Sequence, residues 1–269
     1  MGRGSGDCDY IRFFGEGHIF RKNYLHGTKK EEVGPAHVDG WQTYAVNPGE
    51  YAKDILIDGN ILCGFFHQAM MLDGRTTADT ASFSADTITI SNNVFADAWN
   101  GIVSRGVRNL RIYHNTFIIS TVGRPSCLGL MLGDGPGGAQ TTASVKNNIF
   151  YHGMAFHATT RMAALISASL VEMEGNLLYS PARKYKEGFG NNVLNKDPLF
   201  VDPANPAGPD GKPFTADDGY GLLSDSPCIN AGVRVEDTVG ARDILGNSRP
   251  QGSGWDIGAC EFGAGAPAR

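Results

Sequence analysis

The 269-residue sequence contains no apolar run near the roughly 18–20 residues that a membrane-spanning helix needs, so no helical membrane span is expected. Charge is scarce: charged residues make up 19% of the chain and the net charge is −5. That leaves no basic footprint for nucleic acid; an acidic polymer would have to be met by local Lys and Arg or by a bridging cation. The five cysteines (Cys8, Cys63, Cys127, Cys228 and Cys260) include no CxxC pair, which argues against a zinc site of the usual spacing. Their odd number leaves at least one free thiol. Cys228 and Cys260 either clip the C-terminal segment or lie buried as thiols, and the sequence leaves both open. No amphipathic period extends beyond about two helical turns. The 41% hydrophobic content nonetheless implies a globular chain with a substantial core.

Glycine is abundant, at 36 residues, which points to many turns between short strands. The dominant signal is an internal repeat. Short β-rich segments end in Asn, one variable residue, then Leu or Phe: HIFRKNYL, ILIDGNIL, ITISNNVF, LRIYHNTF, ASVKNNIF, LVEMEGNLL and a shorter GNNVL. Their aligned asparagines are Asn23, Asn60, Asn93, Asn115, Asn148, Asn176 and Asn192. The 22 residues from Asn93 to Asn115 approximate one bare coil, and longer spacings add loops. Asn tolerates the left-handed conformation of a sharp bend, and its amide can bond to the Asn of the next coil. Stacked Ile, Leu, Val and Phe would fill the interior. These features predict an all-β fold, a right-handed parallel β-helix of about seven coils over residues 1–194. His114, inside one such bend, reads as structural.

Residues 195–269 are rich in Pro, Gly and Asp and are expected to cap the last coils as part of the same unit. Their motifs, Asp197 to Phe200, Ser226 to Gly232, Asp243, Gly246, Arg249, Pro250 and Asp256 to Glu261, resemble the C-terminal segment of many secreted bacterial β-helix proteins. The N-terminal MGRGSGDCDY has no apolar signal core. The expectation is a secreted or cell-surface protein whose signal and first coils are missing from these residues. Asp202, Asp210, Asp217 and Asp218 sit in Gly/Pro loops of the segment; they would either ligate Ca²⁺ or remain solvated turn carboxylates.

A second aligned strand predicts a face. With Trp41, Met70, Ile102 and Leu130 inward, the outward rows are Val38/His67/Trp99/Cys127, Gly40/Ala69/Gly101/Gly129, Gln42/Met71/Val103/Met131 and Tyr44/Asp73/Arg105/Gly133. The small row would make a shallow floor for a sugar ring. Trp99 and Tyr44 would stack on sugar faces, and Gln42 and Lys30 would bind substrate. His37, Asp39, Gln42 and Tyr44 are concentrated in GPAHVDGWQTY, where His37 beside a carboxylate suits a general base. That segment resembles the H.DG.Q motif of polysaccharide lyase-like β-helix proteins, within the pectate lyase-like superfamily. The signatures vWiDH and RxPxxR of pectate lyases are absent, as is the polygalacturonase set. His152, His157 and Arg161 form a second polar group without diagnostic spacing.

The resemblance and the face together imply an extracellular protein holding a polysaccharide, with lyase-type β-elimination on a uronate polymer expected. His37 or His67 would be the base, Arg105 the carboxylate neutraliser, and Asp39 or Asp73 an orienter or ligand. Tyr44 would donate a proton to the leaving oxygen. The rivals are a glycoside hydrolase using two of Asp39, Asp58, Asp73 and Asp97, and a non-catalytic carbohydrate-binding solenoid. Nothing in the sequence sets the oligomeric state.

Overall fold

A computed structural model of the chain describes residues 6–77, 80–119, 128–151, 154–156, 168–181, 184–185, 190–235 and 241–263. Among these residues the helical elements are the four-residue α-helix Lys30–Val33 and the 3-10 turn Pro136–Gly138; the rest is strand and loop. No helix among the described residues is long and apolar enough to cross a membrane.

Each repeat supplies strands to three stacks. The first holds Ala52–Asp58, Ala85–Ser91, Leu110–Tyr113, Ala143–Lys146 and the start of Val171–Tyr179. The second holds Tyr24–His26, Ile61–Cys63, Val94–Ala96, Thr116–Ile118, Ile149–Tyr151 and the end of Val171–Tyr179, which joins the two stacks into one 13-stranded sheet. The third is a separate six-stranded sheet. Every pairing in these stacks is parallel; the described antiparallel strand pair is the short hairpin Thr76–Thr77 with Thr80–Phe83.

Alternation explains which side chains enter the core. In ADTITIS (Ala85–Ser91) Ile88 and Ile90 turn inward, and register stacks Ile57, Ile90, Ile112 and Val145 on successive repeats. Phe95, Phe117 and Phe150 form a second column, with ring centroids 4.9 and 4.8 Å apart and near-parallel planes. Such contacts add about 0.5–1.5 kcal/mol per aromatic pair beyond simple burial.

The asparagine ladder runs unbroken. Side-chain amides bond Asn23 to Asn60, Asn60 to Asn93, Asn93 to Asn115, Asn115 to Asn148, Asn148 to Asn176 and Asn176 to Asn192, at 2.8–2.9 Å. One detail differs from expectation. The left-handed residue is the one before each of the first six ladder asparagines: Lys22, Gly59, Asn92, His114, Asn147 and Gly175. The ladder Asn can then project its amide along the stack, where it also bonds a main-chain carbonyl of the neighbouring repeat, as Asn93 does to Ile57. His114 fills its bend fully buried, with Nε2 3.0 Å from Asn147 Nδ2, and burial drives its pKa far down.

The C-terminal segment is not confined to the last coils. It lies along the flank of the second stack, where Phe200, Leu222, Ile244 and Ile257 form a second core with Ile61, Val94, Ile118, Ile149 and Leu177. Its hydrogen bonds reach from Lys22, which donates to the Ile244 carbonyl, through Thr116 and Asn147. The physical reason is that these strands carry apolar residues on both faces, so their outer face also needs cover. Arg249 and Glu261, both fully buried, pair at 2.8 Å inside this segment. Cys228 and Cys260 are buried free thiols, which settles their pairing; Cys127 lies outside the described residues.

Candidate functional site

The candidate site lies on the outer face of the six-stranded sheet. Its strands are Ile11–Arg12, Trp41–Tyr44, Gln68–Asp73, Asn100–Arg105, Leu128–Gly133 and Met154–Phe156, stacked in that order. Trp41, Met70, Ile102 and Leu130 fall in one register row and are fully buried. Gln42, Met71, Val103 and Met131 form the next row, and Tyr44, Asp73, Arg105 and Gly133 the row two residues further on.

The row of small residues is not a floor for a sugar. Ala69 belongs to the core. A Cβ on Gly101 would sit 2.7 Å from the Phe117 ring and 2.6 Å from the Gly129 carbonyl, and one on Gly40 would sit 2.4 Å from the Ala69 carbonyl. The chain turns a corner here and aims this position inward as well, so the alternation used to place it outside breaks down. Small residues are there because neighbouring repeats approach too closely for anything larger.

A cleft of about 340 Å³ opens on the outer face. Asp7, His37 and Gln68 line one end, Gln42, Met71, Val103 and Met131 the floor, and Tyr44 and Arg105 the other end. The imidazole of His37 is half exposed, with Nδ1 3.3 Å from Asp7 and 3.7 Å from Asp39. Asp39 is fully buried and accepts from the Gln68 N–H at 3.2 Å and the Gln42 amide at 3.4 Å. Burial pushes its carboxyl up to about 7; His37 opposes the shift and Asp9 adds to it. Burial also raises Asp9, whose carboxylate takes the Arg12 guanidinium at 2.7 Å and accepts the Asp39 N–H at 3.3 Å. Arg12 bonds Asp7 and the Gln42 carbonyl oxygen as well. The segment carrying these groups is held by main-chain bonds, among them Cys8 N–H to His37 O at 2.8 Å and Tyr10 N–H to Asp39 O at 3.0 Å.

At the far end Arg105 donates to Asp73 at 2.6 Å. Burial of Asp73 raises its carboxyl, and the charges of Arg105 and Arg75 oppose the rise without cancelling it. The Arg75 guanidinium lies 4.5 Å over the Tyr44 ring.

The structure thus gathers His37, Asp39, Gln42, Tyr44, Asp73 and Arg105 around one cleft. His67 and Trp99 form a column behind it. The His67 ring stacks on His37 at 4.6 Å, lies 6.4 Å from Trp99, and accepts the Val38 N–H through Nδ1, an arrangement that supports His37. Trp99 packs on the core instead of lining the cleft, and Lys30 is exposed on its short helix away from the lining. His152, His157 and Arg161 lie outside the described residues.

The cap aspartates satisfy turn N–H groups: Asp202 accepts from Ala204, Asp210 from Lys212, Asp217 from Asp210, and Asp218 from Phe214 and Thr215. They form no convergent set of metal ligands. Among the described residues Asp7, Asp9 and His37 do converge, their ligand atoms within 4.8 Å of one another, but Arg12 already holds both carboxylates. A second hollow of about 230 Å³ on the C-terminal flank has Asp218 and Tyr220 bonded to each other in its wall.

Sequence reasoning missed Asp7, Asp9, Arg12 and Arg75. The first three lie ahead of the first recognisable repeat, and only the charge pattern DCDYIR hinted at them. No protein-family model and no curated protein matches this chain.

Proposed function

We propose that the stacked repeats close into a right-handed parallel β-helix of pectate lyase-like type, working outside the cell. The outer cleft would hold a uronate-containing polysaccharide and cleave it by β-elimination. The observation that carries this reading is the meeting of His37, Tyr44 and Arg105 on one cleft. Arg105 would neutralise the uronate carboxylate and so acidify the C5 proton. His37, set by Asp39 and stacked on His67, would take that proton; it stands at the opposite end of the cleft from Arg105, so the step requires Arg105 to swing off Asp73 towards the cleft centre. The C5–H electron pair becomes the C4=C5 double bond, the C4–O bond breaks, and Tyr44 protonates the leaving oxygen. Arg105 rather than Ca²⁺ would be the neutraliser, since the cap aspartates are committed to their turns.

The hydrolase reading fits less well. Asp58 lies on the 13-stranded sheet and Asp97 precedes its own outer strand. Asp39 bonds the Gln68 N–H, and Asp73 lies five residues further along that strand, roughly 16 Å away at strand rise. A hydrolytic pair needs about 5–9.5 Å.

The test is an ultraviolet assay for unsaturated product on a panel of uronate polymers, with Ca²⁺ and with chelator. Wild type should release product under both conditions, and His37→Gln should lose about 10²–10⁴-fold in rate. Product from wild type and His37→Gln alike would remove His37 as the base. Calorimetric binding with the ligand left intact would instead establish a binding-only groove.

A further inference from the structure

The cleft is polarised along the strand direction and has an apolar floor. At the Tyr44 end two guanidiniums, Arg75 and Arg105, act on one carboxylate, Asp73, so formal charges leave one positive. At the other end Asp7 and Asp9 share one guanidinium, Arg12, which among the described residues leaves one negative. The neighbouring Asp39 is fully buried, with its carboxylate 3.7 Å from His37 Nδ1. Met71 and Val103 lie between these ends, at outward positions and yet almost buried, with Met131 beside them. A sheet face open to water usually carries polar side chains there.

We infer that this cleft takes an alternating polymer in which a uronate adjoins an N-acylated amino sugar, and discriminates against a homopolyuronate. The inference rests on the polysaccharide reading above and specifies its substrate class. The single uronate carboxylate sits at Arg75 and Arg105. A second carboxylate on the adjoining sugar would face the uncompensated charge of Asp7 and Asp9 across an apolar floor. At roughly 8 Å and an effective dielectric near 20, that repulsion weakens binding by about tenfold or more. An uncharged N-acyl group avoids it: its methyl meets the Met71 and Met131 side chains, and its amide meets Gln42 and Gln68.

Calorimetry on the full chain with size-matched oligomers tests this. The probes are a galacturonate homopolymer, an alternating glucuronate–N-acetylglucosamine oligomer, an alternating glucuronate–glucose oligomer that lacks the acylamino group, and an uncharged chitin oligomer. The acetylated alternating oligomer should bind about tenfold tighter than the homopolymer. Asp7→Asn with Asp9→Asn should narrow that gap by improving homopolymer binding. Met71→Gln with Met131→Gln should erase the preference for the acetylated oligomer over the one that lacks the acylamino group. A homopolymer that binds as tightly as the alternating oligomer overturns the inference while the uronate reading stands. Equal affinity for the alternating oligomers with and without the acylamino group overturns the acyl assignment. If none of the uronate-containing oligomers binds, the polysaccharide reading falls with it.

Discussion

Replacing the central ladder residue, Asn115→Ala, tests the proposition that the asparagines and not the apolar columns alone hold successive repeats in register. The Asn115 side chain makes four hydrogen bonds. It donates to the Ile90 carbonyl and to Asn148 Oδ1, both at 2.9 Å, and accepts the Asn93 N–H at 3.0 Å and the Asn93 amide at 2.9 Å. Alanine leaves the buried Asn93 N–H without its acceptor, which costs about 1–3 kcal/mol. The other three bonds contribute about 0.5–1.5 kcal/mol each. The expected loss is therefore about 2.5–7.5 kcal/mol, a large share of the stability of a typical domain.

The end of the ladder supplies the control. Asn23 donates to Asn60 at 2.9 Å and more weakly to the Arg21 carbonyl at 3.4 Å, and Asn60 Oδ1 keeps the Asn23 N–H after truncation. Asn23→Ala should lose only about 1 kcal/mol. Urea unfolding of both variants, compared at equal slope, reads the difference directly. If Asn115→Ala stays within about 1 kcal/mol of wild type, or if Asn23→Ala is equally damaging, the ladder is a by-product of stacking and the reasoning fails.

Two further perturbations probe other parts of the same logic. Gly101→Ala places a methyl 2.6 Å from the Gly129 carbonyl and against the Phe117 ring, so it should destabilise by about 1–3 kcal/mol or more; an unchanged urea midpoint would mean that the corner is slack. Asp39 has its carboxyl at about 7, above the unfolded value, so the folded chain holds the proton more tightly. Its contribution is fully present at acid pH, declines as pH climbs towards 7 and is flat above that; Asp39→Asn should flatten the pH profile of the urea midpoint and raise it above neutrality. A wild-type midpoint that climbs relative to Asp39→Asn between about pH 5 and 7 would contradict the sign.

The parts of this architecture that were legible in the sequence are those set by repetition. An Asn two residues before an apolar side chain, seven times over, predicts both the parallel register and the buried columns, because each repeat places the same atoms on the same neighbours. The Trp41/Met70/Ile102/Leu130 row follows from alternation alone. Legibility stops where the chain departs from alternation or repetition. Gly40, Ala69, Gly101 and Gly129 were placed outside because a period of two was carried through a corner that does not obey it. The cleft suffered from the second limit. Asp7, Asp9 and Arg12 precede the first full repeat, so no alignment of repeats can reach them. Yet Arg12 takes both aspartates, and Asp9 receives the Asp39 N–H, which ties the first strand to the acidic end of the cleft. Arg75 escaped for a related reason: it follows the aligned strand and enters the site over the Tyr44 ring on the preceding repeat. In a stacked protein, then, repeated residues build the frame. The charges that give its groove a direction come from the positions where the repeat is broken.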